Sequence, residues 1–329
     1  MAILKTADKM IEGYTMSDYK PYLSVVVPVF GCADCLRSLC LQLHLVLTQL
    51  TNIYEVILVD DASKDDAWTM IQTLTDINPR IKGIRLARNF GQHNAISAGL
   101  AYTTGDWIIV MDCDLQDPPT GIIKLYKKAH EGFDVVFAHR SARKDSWPKR
   151  ASSALFWKIF NYFAGSQSNK AIANFGIYSR RVIHHITQLK EQNRSFPLFV
   201  HWLGYQTAVI DIEHDKRYAG KSSYSLWQLW QLAIDMIVSH SIKPLKLTMQ
   251  FGFLLSFFSL LSGCYLIIKK IFWGISATGW TSLMVSLYFL GGVIIFLLGL
   301  IGIYLGKTFD ETKNRPHYII DTMININDH

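Results

Sequence analysis

The amino-acid sequence predicts an α/β protein with a mostly parallel sheet, followed by two helices that cross a membrane. Three observations predict this class. Short apolar, β-branched runs alternate with segments of helical spacing in the first part of the chain. Acidic residues directly follow two of the predicted strands. Hydrophobic residues make up 50% of the 329 residues, and their excess lies after residue 245.

The elements of the sheet region follow one another in a regular order. Four buried strands are predicted, at Leu23–Val29, Glu55–Val59, Ile81–Leu86 and Trp107–Met111. Helices are predicted between them, at 35–50, in a segment ending near Ile77, and at Gln92–Tyr102. Near-continuous apolar strands separated by helices are typical of a parallel sheet covered on both faces. Ligands of such sheets bind beyond the carboxyl ends of the strands.

Two C-terminal segments, Leu245–Ile268 and Thr281–Leu305, are each long enough to cross a bilayer, which takes about 20 apolar residues. Basic residues lie mainly on the outer side of the pair, whereas the short connection holds only Lys269 and Lys270. Positive residues stay on the cytoplasmic side. The large domain and both termini are therefore predicted to be cytoplasmic, at the cytoplasmic membrane.

Two further stretches are predicted to lie on the membrane surface. Tyr224–Val238 has an amphipathic helical pattern, and Ala154–Phe163 is rich in aromatic residues beside basic ones. Packing within a protein core is the alternative for both. The net charge of +7 suits an anionic membrane or a phosphorylated ligand. Nucleic acid is excluded as a partner because no element interleaves basic and aromatic residues.

The composition divides the chain into five parts. They are an N-terminal extension (1–20), a cytoplasmic catalytic domain (21–223), a juxtamembrane helix (224–244), a two-helix anchor (245–305) and a cytoplasmic tail (306–329). The charged first residues do not resemble a signal peptide. Five scattered cysteines predict a reduced cytosolic domain. Cys32 and Cys35 are expected to pack at a helix start, because no second pair completes a zinc site.

The segment MDCDLQDPP (111–119) is the most informative for chemistry. Asp112 and Asp114, one residue apart just after a buried strand, can converge on a divalent cation such as Mg²⁺ or Mn²⁺. Gln116 could add a further oxygen ligand. A cation there would bridge a diphosphate and stabilise the charge that builds on it. Solvated acids in a turn are the alternative.

Two other segments carry candidate binding residues. Asp60 and Asp61 follow the second strand, where a carboxylate can accept hydrogen bonds from a nucleotide base or ribose; helix capping is the alternative. Further along, Arg217, Lys221 and Ser222 lie in RYAGKSSY (217–224), directly before the amphipathic stretch. These side chains suit a lipid phosphate. A solvated basic loop is the alternative.

Together these segments resemble the family-2 glycosyltransferases of the GT-A fold, and most closely the polyisoprenyl-phosphate glycosyltransferases. The resemblance covers nearly the whole chain. It is carried by VVVPVFG (25–31), VDDAS (59–63), RNFGQHNAISAGL (88–100), MDCDLQDPP (111–119), WLGY (202–205), RYAGKSSY (217–224) and the two C-terminal spans. The string DLQDPP with a downstream R-x-x-G is specific, whereas VDDAS alone is not.

The resemblance implies a role for each candidate residue. Pro28, Phe30 and Asp61 would line the base and ribose, with Asp60 supporting them. Arg88 and Asn89 would border the donor site. The implied cation ligands are Asp112, Asp114 and Gln116, and the implied phosphate-binding residues are Arg217, Lys221 and Ser222. The residues expected to be catalytic are Asp112, Asp114 and Arg217.

The reaction implied is an inverting, metal-dependent hexosyl transfer from a nucleotide diphosphate sugar, with UDP favoured, to a polyprenyl phosphate such as undecaprenyl phosphate. The product would serve cell-envelope glycan modification. By analogy the resemblance also implies a homo-oligomer, a tetramer, with the tail after Lys307 reaching a neighbouring subunit.

The sequence departs from the family pattern at two places. Asn174 stands where relatives commonly have a carboxylate, in ANFGI (173–177). An ionised phosphate acceptor needs positioning rather than a general base, so this change favours a phosphate acceptor. Lys221-Ser222-Ser223 replaces a common acid-Ser-Lys order.

Three other functions are weighed against this one. A glycosyltransferase acting directly on a glycolipid or polysaccharide is the nearest alternative, although the Q-x-x-R-W motif of processive synthases is missing from the sequence. A nucleotidyltransferase normally opens with a Gly-rich basic loop, which does not follow Leu23–Val29. A non-catalytic membrane scaffold would not require Asp112, Asp114 and Arg217 together.

Overall fold

The computed structural model describes residues 22–140, 172–192, 194–212, 241–273 and 279–326. Several predictions fall outside these ranges. They concern Arg217, Lys221, Ser222 and the two interfacial stretches Ala154–Phe163 and Tyr224–Val238.

The described part of the catalytic region contains an eight-stranded sheet with the order β7-β5-β6-β4-β1-β2-β3-β8. The strands are β1 Leu23–Val29, β2 Tyr54–Asp60, β3 Ile81–Leu86, β4 Trp107–Val110, β5 Val135–Arg140, β6 Ile172–Ser179, β7 Thr207–Ile212 and β8 Ile320–Ile324. Only β6 and β8 run opposite to the other six strands. The predicted α/β class with a mostly parallel sheet is therefore confirmed.

Helices connect the strands and cover both faces of the sheet. In the sheet-containing unit they are α1 Ala33–Leu47, α2 Ala67–Ile77, α3 Gln92–Ala101, α4 Gly121–Ala129, α5 Arg180–Gln188 and α6 Phe196–Leu203. The other unit contains the two long helices α7 Lys243–Trp273 and α8 Trp280–Thr312. Apolar residues of α1, α2 and α4 form one core cluster with the strands, and those of α3, α5 and α6 pack on the opposite face. Burial of one such large aliphatic side chain stabilises the fold by about 1.5–3 kcal/mol.

Helix α3 approaches the centre of the sheet through Gly99. A Cβ atom at this position would lie 2.5 Å from Val26 Cγ1 and 2.9 Å from Val59 Cγ2, closer than real side chains pack. Because only glycine avoids this overlap, the helix lies directly against β1 and β2. Its first residue, Gln92, is thereby held at the edge where these strands end.

Buried polar side chains tie the strands together at the opposite, amino-terminal edge. Glu55 is the second residue of β2 and accepts hydrogen bonds from Ser24 Oγ (2.5 Å), Lys82 Nζ (2.6 Å) and the Thr104 N–H (2.7 Å). Burial alone would raise the pKa of Glu55, but these donors outweigh it and the pKa lies below its ordinary value. This carboxylate is a structural bridge between neighbouring strands.

The last described residues of the chain return to the sheet. Strand β8 pairs antiparallel with β3, and the Asn325 side chain donates hydrogen bonds to the carbonyl oxygens of Thr75 and Ile81. Residues of this tail cover the β3 edge of the sheet, and its reach to a neighbouring subunit stays a prediction. This strand shields a row of backbone groups that would otherwise be open to pairing.

Helices α7 and α8 contain the two predicted spans. The segments Lys243–Leu266 and Ser282–Thr312 are long and apolar enough to cross a membrane, judged by length and composition. A groove of about 540 Å³ between the two helices is lined almost wholly by apolar side chains.

The chain divides into two compact units. One consists of residues 1–143, 169–221 and 316–329, and the other of 144–168 and 222–315. The C-terminal residues thus belong to the sheet-containing unit. The predicted five-part division remains a prediction.

Candidate functional site

The predicted acidic residues meet at the carboxyl-terminal edge of the sheet. The parallel register places Asp60 of β2 opposite Val29 of β1, and Val110 of β4 opposite Val26. Asp112 follows Val110 by two residues, so the acids after β2 and β4 flank the end of β1 on its two sides. The expectation that these residues share one sheet edge is confirmed.

Asp61 holds a neighbouring loop. Its Oδ1 accepts the N–H of Phe90 at 2.7 Å, and its Oδ2 accepts the N–H of Gly91 at 2.8 Å. Burial raises the pKa of Asp61 above its ordinary value, although these two N–H groups act in the opposite direction. Gly91 has a φ of +91°, which a side chain would disfavour. Asp61 therefore shapes the loop that carries Arg88 and Asn89.

Asp60 presents a different environment. Its side chain is fully buried, and Oδ1 accepts the Ser63 N–H at 3.0 Å. Oδ2 has no hydrogen-bond donor within the described residues, and Arg85 Nε lies 3.7 Å from it. A buried carboxylate oxygen without a donor is costly unless a ligand completes it. Asp60 Oδ2, beside the Arg85 guanidinium, is therefore a candidate acceptor for a ligand N–H or hydroxyl.

Asp112 is oriented by the first residue of α3. Gln92 Nε2 donates to Asp112 Oδ1 at 2.7 Å. The close packing of α3 at Gly99 supports this bond, since it holds the helix against the sheet. Gln92 lies within the quoted motif RNFGQHNAISAGL, but no role was predicted for it.

Asp114 lies in a tight turn after β4. Its Oδ1 accepts the N–H of Gln116 at 3.1 Å. Leu115 between them has a φ of +58°, and Ala62, after Asp60 and Asp61, has a φ of +52°. Non-glycine residues in this left-handed region are uncommon and cluster at functional sites. Both acidic loops therefore adopt backbone conformations typical of binding sites.

The residues expected to border a nucleotide differ in exposure. Phe30, just after β1, is 52% exposed and offers an aromatic face at the site edge. Pro28 is buried within β1. Arg88 and Asn89 are exposed, and the Arg88 guanidinium lies 4.3 Å from the centre of the Phe90 ring.

The prediction that all five cysteines are reduced is wrong for one pair. Cys32, after β1, and Cys113, between Asp112 and Asp114, form a disulfide. Cys35, Cys40 and Cys264 are free. The pairing was missed because β4 is the spatial neighbour of β1 although 81 residues separate the two cysteines. Cys35 packs at the start of α1 as expected.

Asn174 lies at the same edge of the sheet. Strand β6 runs antiparallel to β4 with Gly176 opposite Val110, so Asn174 is displaced toward the Asp112 end. The position where relatives commonly have a carboxylate therefore lies at this edge of the sheet. In this chain the residue there, Asn174, has an amide side chain.

The residues present fit a divalent cation that is completed by a phosphorylated ligand. Asp112 and Asp114 supply hard oxygen ligands, and each is oriented through Oδ1 by a donor of the protein. Within the described ranges no group of three or more His, Cys, Asp or Glu side chains forms a metal cage. Mg²⁺ commonly uses one or two carboxylates together with substrate phosphates. Gln116 is buried, and its role as a ligand remains a prediction.

Comparison with known proteins places the chain among transferases. The sequence model described as glycosyl transferase family 2 matches residues 24–186, which include β1, β2 and β4 with their acidic loops. An uncharacterised glycosyltransferase of Synechocystis is 37% identical over 302 residues, covering 92% of this chain and 95% of the relative. A bactoprenol glucosyl transferase of Shigella phage SfX is 35% identical over 299 residues, covering 91% and 98%.

One solved structure whose backbone fold is similar is glucosyl-3-phosphoglycerate synthase from Mycobacterium tuberculosis, in complex with Mn²⁺, UDP and phosphoglyceric acid. Its TM-score is 0.49 at 16% identity, covering 69% of this chain and 81% of that one.

Proposed function

The chain belongs to glycosyl transferase family 2, and from this premise we propose that it transfers a sugar from a UDP-sugar to a polyprenyl phosphate. One observation carries the proposal. The bactoprenol glucosyl transferase of Shigella phage SfX matches 91% of this chain, a span that the sheet domain alone cannot fill. The proposed acceptor is undecaprenyl phosphate, and the proposed product is a lipid-phosphate-linked hexose for cell-envelope glycan modification.

The donor nucleotide lies, in this proposal, across the end of β1. The exposed face of Phe30 stacks on the base, and Asp60 Oδ2 accepts an N–H of the base or a ribose hydroxyl. Asp61 supports the donor site indirectly, because both of its carboxylate oxygens accept hydrogen bonds from the loop of Phe90 and Gly91. Arg88 and Asn89 then border the donor from that loop.

Asp112 and Asp114 would hold Mg²⁺ or Mn²⁺, which when bound offsets negative charge on the diphosphate leaving group. Gln92 keeps Asp112 in place through the 2.7 Å bond from α3. The protein contributes orientation at this point, because misplacement of a reacting group by about 1 Å can slow a reaction about 100-fold.

The acceptor side is supported by Asn174. An amide cannot remove a proton from a hydroxyl acceptor, whereas a phosphate monoester is largely ionised above its second pKa of about 6. Attack by an ionised phosphate oxygen on the face opposite the leaving diphosphate inverts the anomeric carbon. Arg217, Lys221 and Ser222 remain the proposed phosphate contacts.

Anchoring through α7 and α8 would keep the site at the cytoplasmic face of the membrane, where a polyprenyl phosphate headgroup is available. Assembly as a tetramer remains a prediction by analogy.

The direct test incubates detergent-purified protein with undecaprenyl phosphate, Mg²⁺ or Mn²⁺, and a panel of radiolabelled UDP- and GDP-sugars. We expect one UDP-sugar to give label that extracts into organic solvent, and no label when the cation is chelated. The anomeric configuration of the product, measured by NMR, checks inversion.

Two outcomes would contradict the proposal. Label that enters a glycolipid or polysaccharide hydroxyl, but never polyprenyl phosphate, supports the direct glycosyltransferase instead. No transfer from any donor, by protein that is folded and bound to membranes, supports the non-catalytic scaffold.

A further inference from the structure

We propose that Cys32 and Cys113 form a thiol–disulfide exchange site that controls the affinity for the donor nucleotide, with a dithiol as its reductant. The disulfide joins the loop after β1 to the loop after β4, with 6.6 Å between the two Cα atoms. The inference rests on the proposed function only in assigning these loops to the donor site.

The position of the disulfide connects two halves of the site. Cys113 separates Asp112 from Asp114, and Cys32 follows Phe30 by two residues. One covalent bond therefore links the proposed cation-binding loop to the loop that carries the proposed base-stacking ring.

The disulfide lies on the face of the sheet opposite the Asp112 side chain, so it supports the loops without obstructing the site. Cys113 packs with Met111 in the core cluster covered by α1, α2 and α4. Asp112 instead bonds Gln92 of α3, the helix on the opposite face of the sheet. An intact disulfide thus fixes the loop backbone while the Asp112 side chain remains on the other side. Such preorganisation favours ligand binding.

The two sulfur atoms differ in accessibility. Cys113 is buried, whereas Cys32 is partly exposed at the start of α1. An external thiolate can therefore approach Cys32 Sγ. In the cytoplasm, where the proposed topology places this domain, disulfides are rare and usually take part in redox exchange.

The chemistry balances with a dithiol as co-reactant. Its first thiolate bonds to Cys32 Sγ, the Cys32–Cys113 bond breaks, and Cys113 leaves as a thiolate that takes up a proton. The second thiol of the reductant then attacks the mixed disulfide and releases Cys32. The protein gains two electrons, and the dithiol is oxidised to its own disulfide.

Reduction should loosen the donor site without unfolding it. The loop of Asp112 and Asp114 then loses its covalent link to the Phe30 loop. The entropic cost of ordering the Asp112 loop must therefore be met when the ligand binds. We expect the donor KM and the Kd for UDP to rise by about fivefold, with kcat changed by less than about twofold.

The first experiment measures the redox state itself. Protein purified without reductant is denatured, alkylated and analysed by peptide mass. We expect alkylation at Cys35, Cys40 and Cys264 only, and at Cys32 and Cys113 as well after treatment with dithiothreitol. Alkylation of all five cysteines in protein that has been exposed to oxidised glutathione would overturn the site.

The second experiment measures UDP affinity by calorimetry, with Mn²⁺ present, in the oxidised and dithiothreitol-reduced forms. Cys32→Ser and Cys113→Ser should each bind like the reduced form and ignore dithiothreitol. Cys35→Ser is the matched control, since this neighbouring cysteine is unpaired and should retain the full redox response. Equal affinity in both forms, or no binding in either, would overturn the proposal.

The transfer assay separates this inference from the proposed function. Transfer to polyprenyl phosphate with the same donor KM in both redox states would contradict the exchange site and support the proposed function. Redox-dependent UDP binding without any transfer would contradict the proposed function and support the exchange site.

Discussion

The two ends of strand β2 carry buried carboxylates with opposite environments. Glu55 at its start is 2% exposed and Asp60 at its end is 0% exposed. Glu55 is held by Ser24, Lys82 and Thr104, whereas Asp60 Oδ2 has no described hydrogen-bond donor. Burial alone therefore does not distinguish the two acids. The number of hydrogen-bond donors around their oxygens does.

This difference suggests that Glu55 contributes mainly to the stability of the fold and Asp60 mainly to ligand binding, although both lie in β2. A carboxylate whose donors all come from the protein stabilises the fold and has little capacity left for a ligand. A carboxylate with an oxygen lacking a donor costs stability, and a ligand can recover that cost. The four predictions about carboxylates and the one about Gln92 below test this division, from the largest expected effect to the smallest.

The largest effect is expected at the ligand-binding edge. Asp114→Ala should lower transfer by about 100-fold or more, because one of two proposed cation ligands is lost. Its melting temperature should stay close to that of the wild type. Asp76→Asn, an exposed acid on α2, is the control and should transfer normally. Normal turnover by Asp114→Ala would remove the site assignment.

At the other end of β2, Glu55→Gln should lower the free energy of unfolding by about 2 kcal/mol, because it removes the charge of the buried acceptor that binds the partly exposed Lys82. Chemical denaturation of the sheet-containing unit measures this. The UDP affinity of the folded fraction should not change. A loss below about 0.5 kcal/mol would show that the network is dispensable.

The contribution of Glu55 should also depend on pH. Its folded-state pKa is lowered, so its stabilising effect is present above the unfolded pKa of about 4.3 and is lost as pH falls through the folded value. The difference in unfolding free energy between wild type and Glu55→Gln should therefore narrow below pH of about 4. A difference that widens on acidification would contradict this sign.

Asp60→Asn should weaken UDP binding by about tenfold, since an amide oxygen is a poorer acceptor than a carboxylate. Its effect on unfolding should be well below that of Glu55→Gln, although both side chains are buried in the same strand. Calorimetric titration and denaturation of the two variants side by side compare them. If Asp60→Asn is the more destabilising, the division along β2 fails.

The smallest effect concerns orientation. Gln92→Ala should lower transfer by about fivefold, because Asp112 loses the donor that aims it. Gln72→Ala, at an exposed position of α2, controls for loss of a glutamine from a helix. The kcat and KM of each variant are compared over a range of Mn²⁺ concentrations. Rescue of Gln92→Ala by excess Mn²⁺ would agree with a positioning role, and an unchanged kcat/KM would exclude it.

Much of the sheet was predictable because its central strands are buried on both faces. Strands such as Leu23–Val29 then read as unbroken apolar runs, and the rule that ligands bind beyond strand ends located Asp60 and Asp112. Strands β5, β6, β7 and β8 were not predicted. In the case of β8 the reason is that IDTMI is a short edge strand with mixed polarity.

Contacts between distant segments were beyond the reach of sequence patterns. The Gln92–Asp112 bond and the Cys32–Cys113 disulfide both depend on which strands become neighbours in the sheet. Periodicity identifies a strand but not its place in the order. The respective roles of Asp60 and Asp61 likewise depend on where the Phe90–Gly91 loop folds back, which the local sequence does not encode.

Strand β8 also has a consequence for biosynthesis. It is translated after both apolar helices, yet it pairs with β3, which leaves the ribosome long before. Under the proposed membrane anchoring by α7 and α8, the β3 edge of the nascent sheet therefore stays unpaired until both helices have been synthesised.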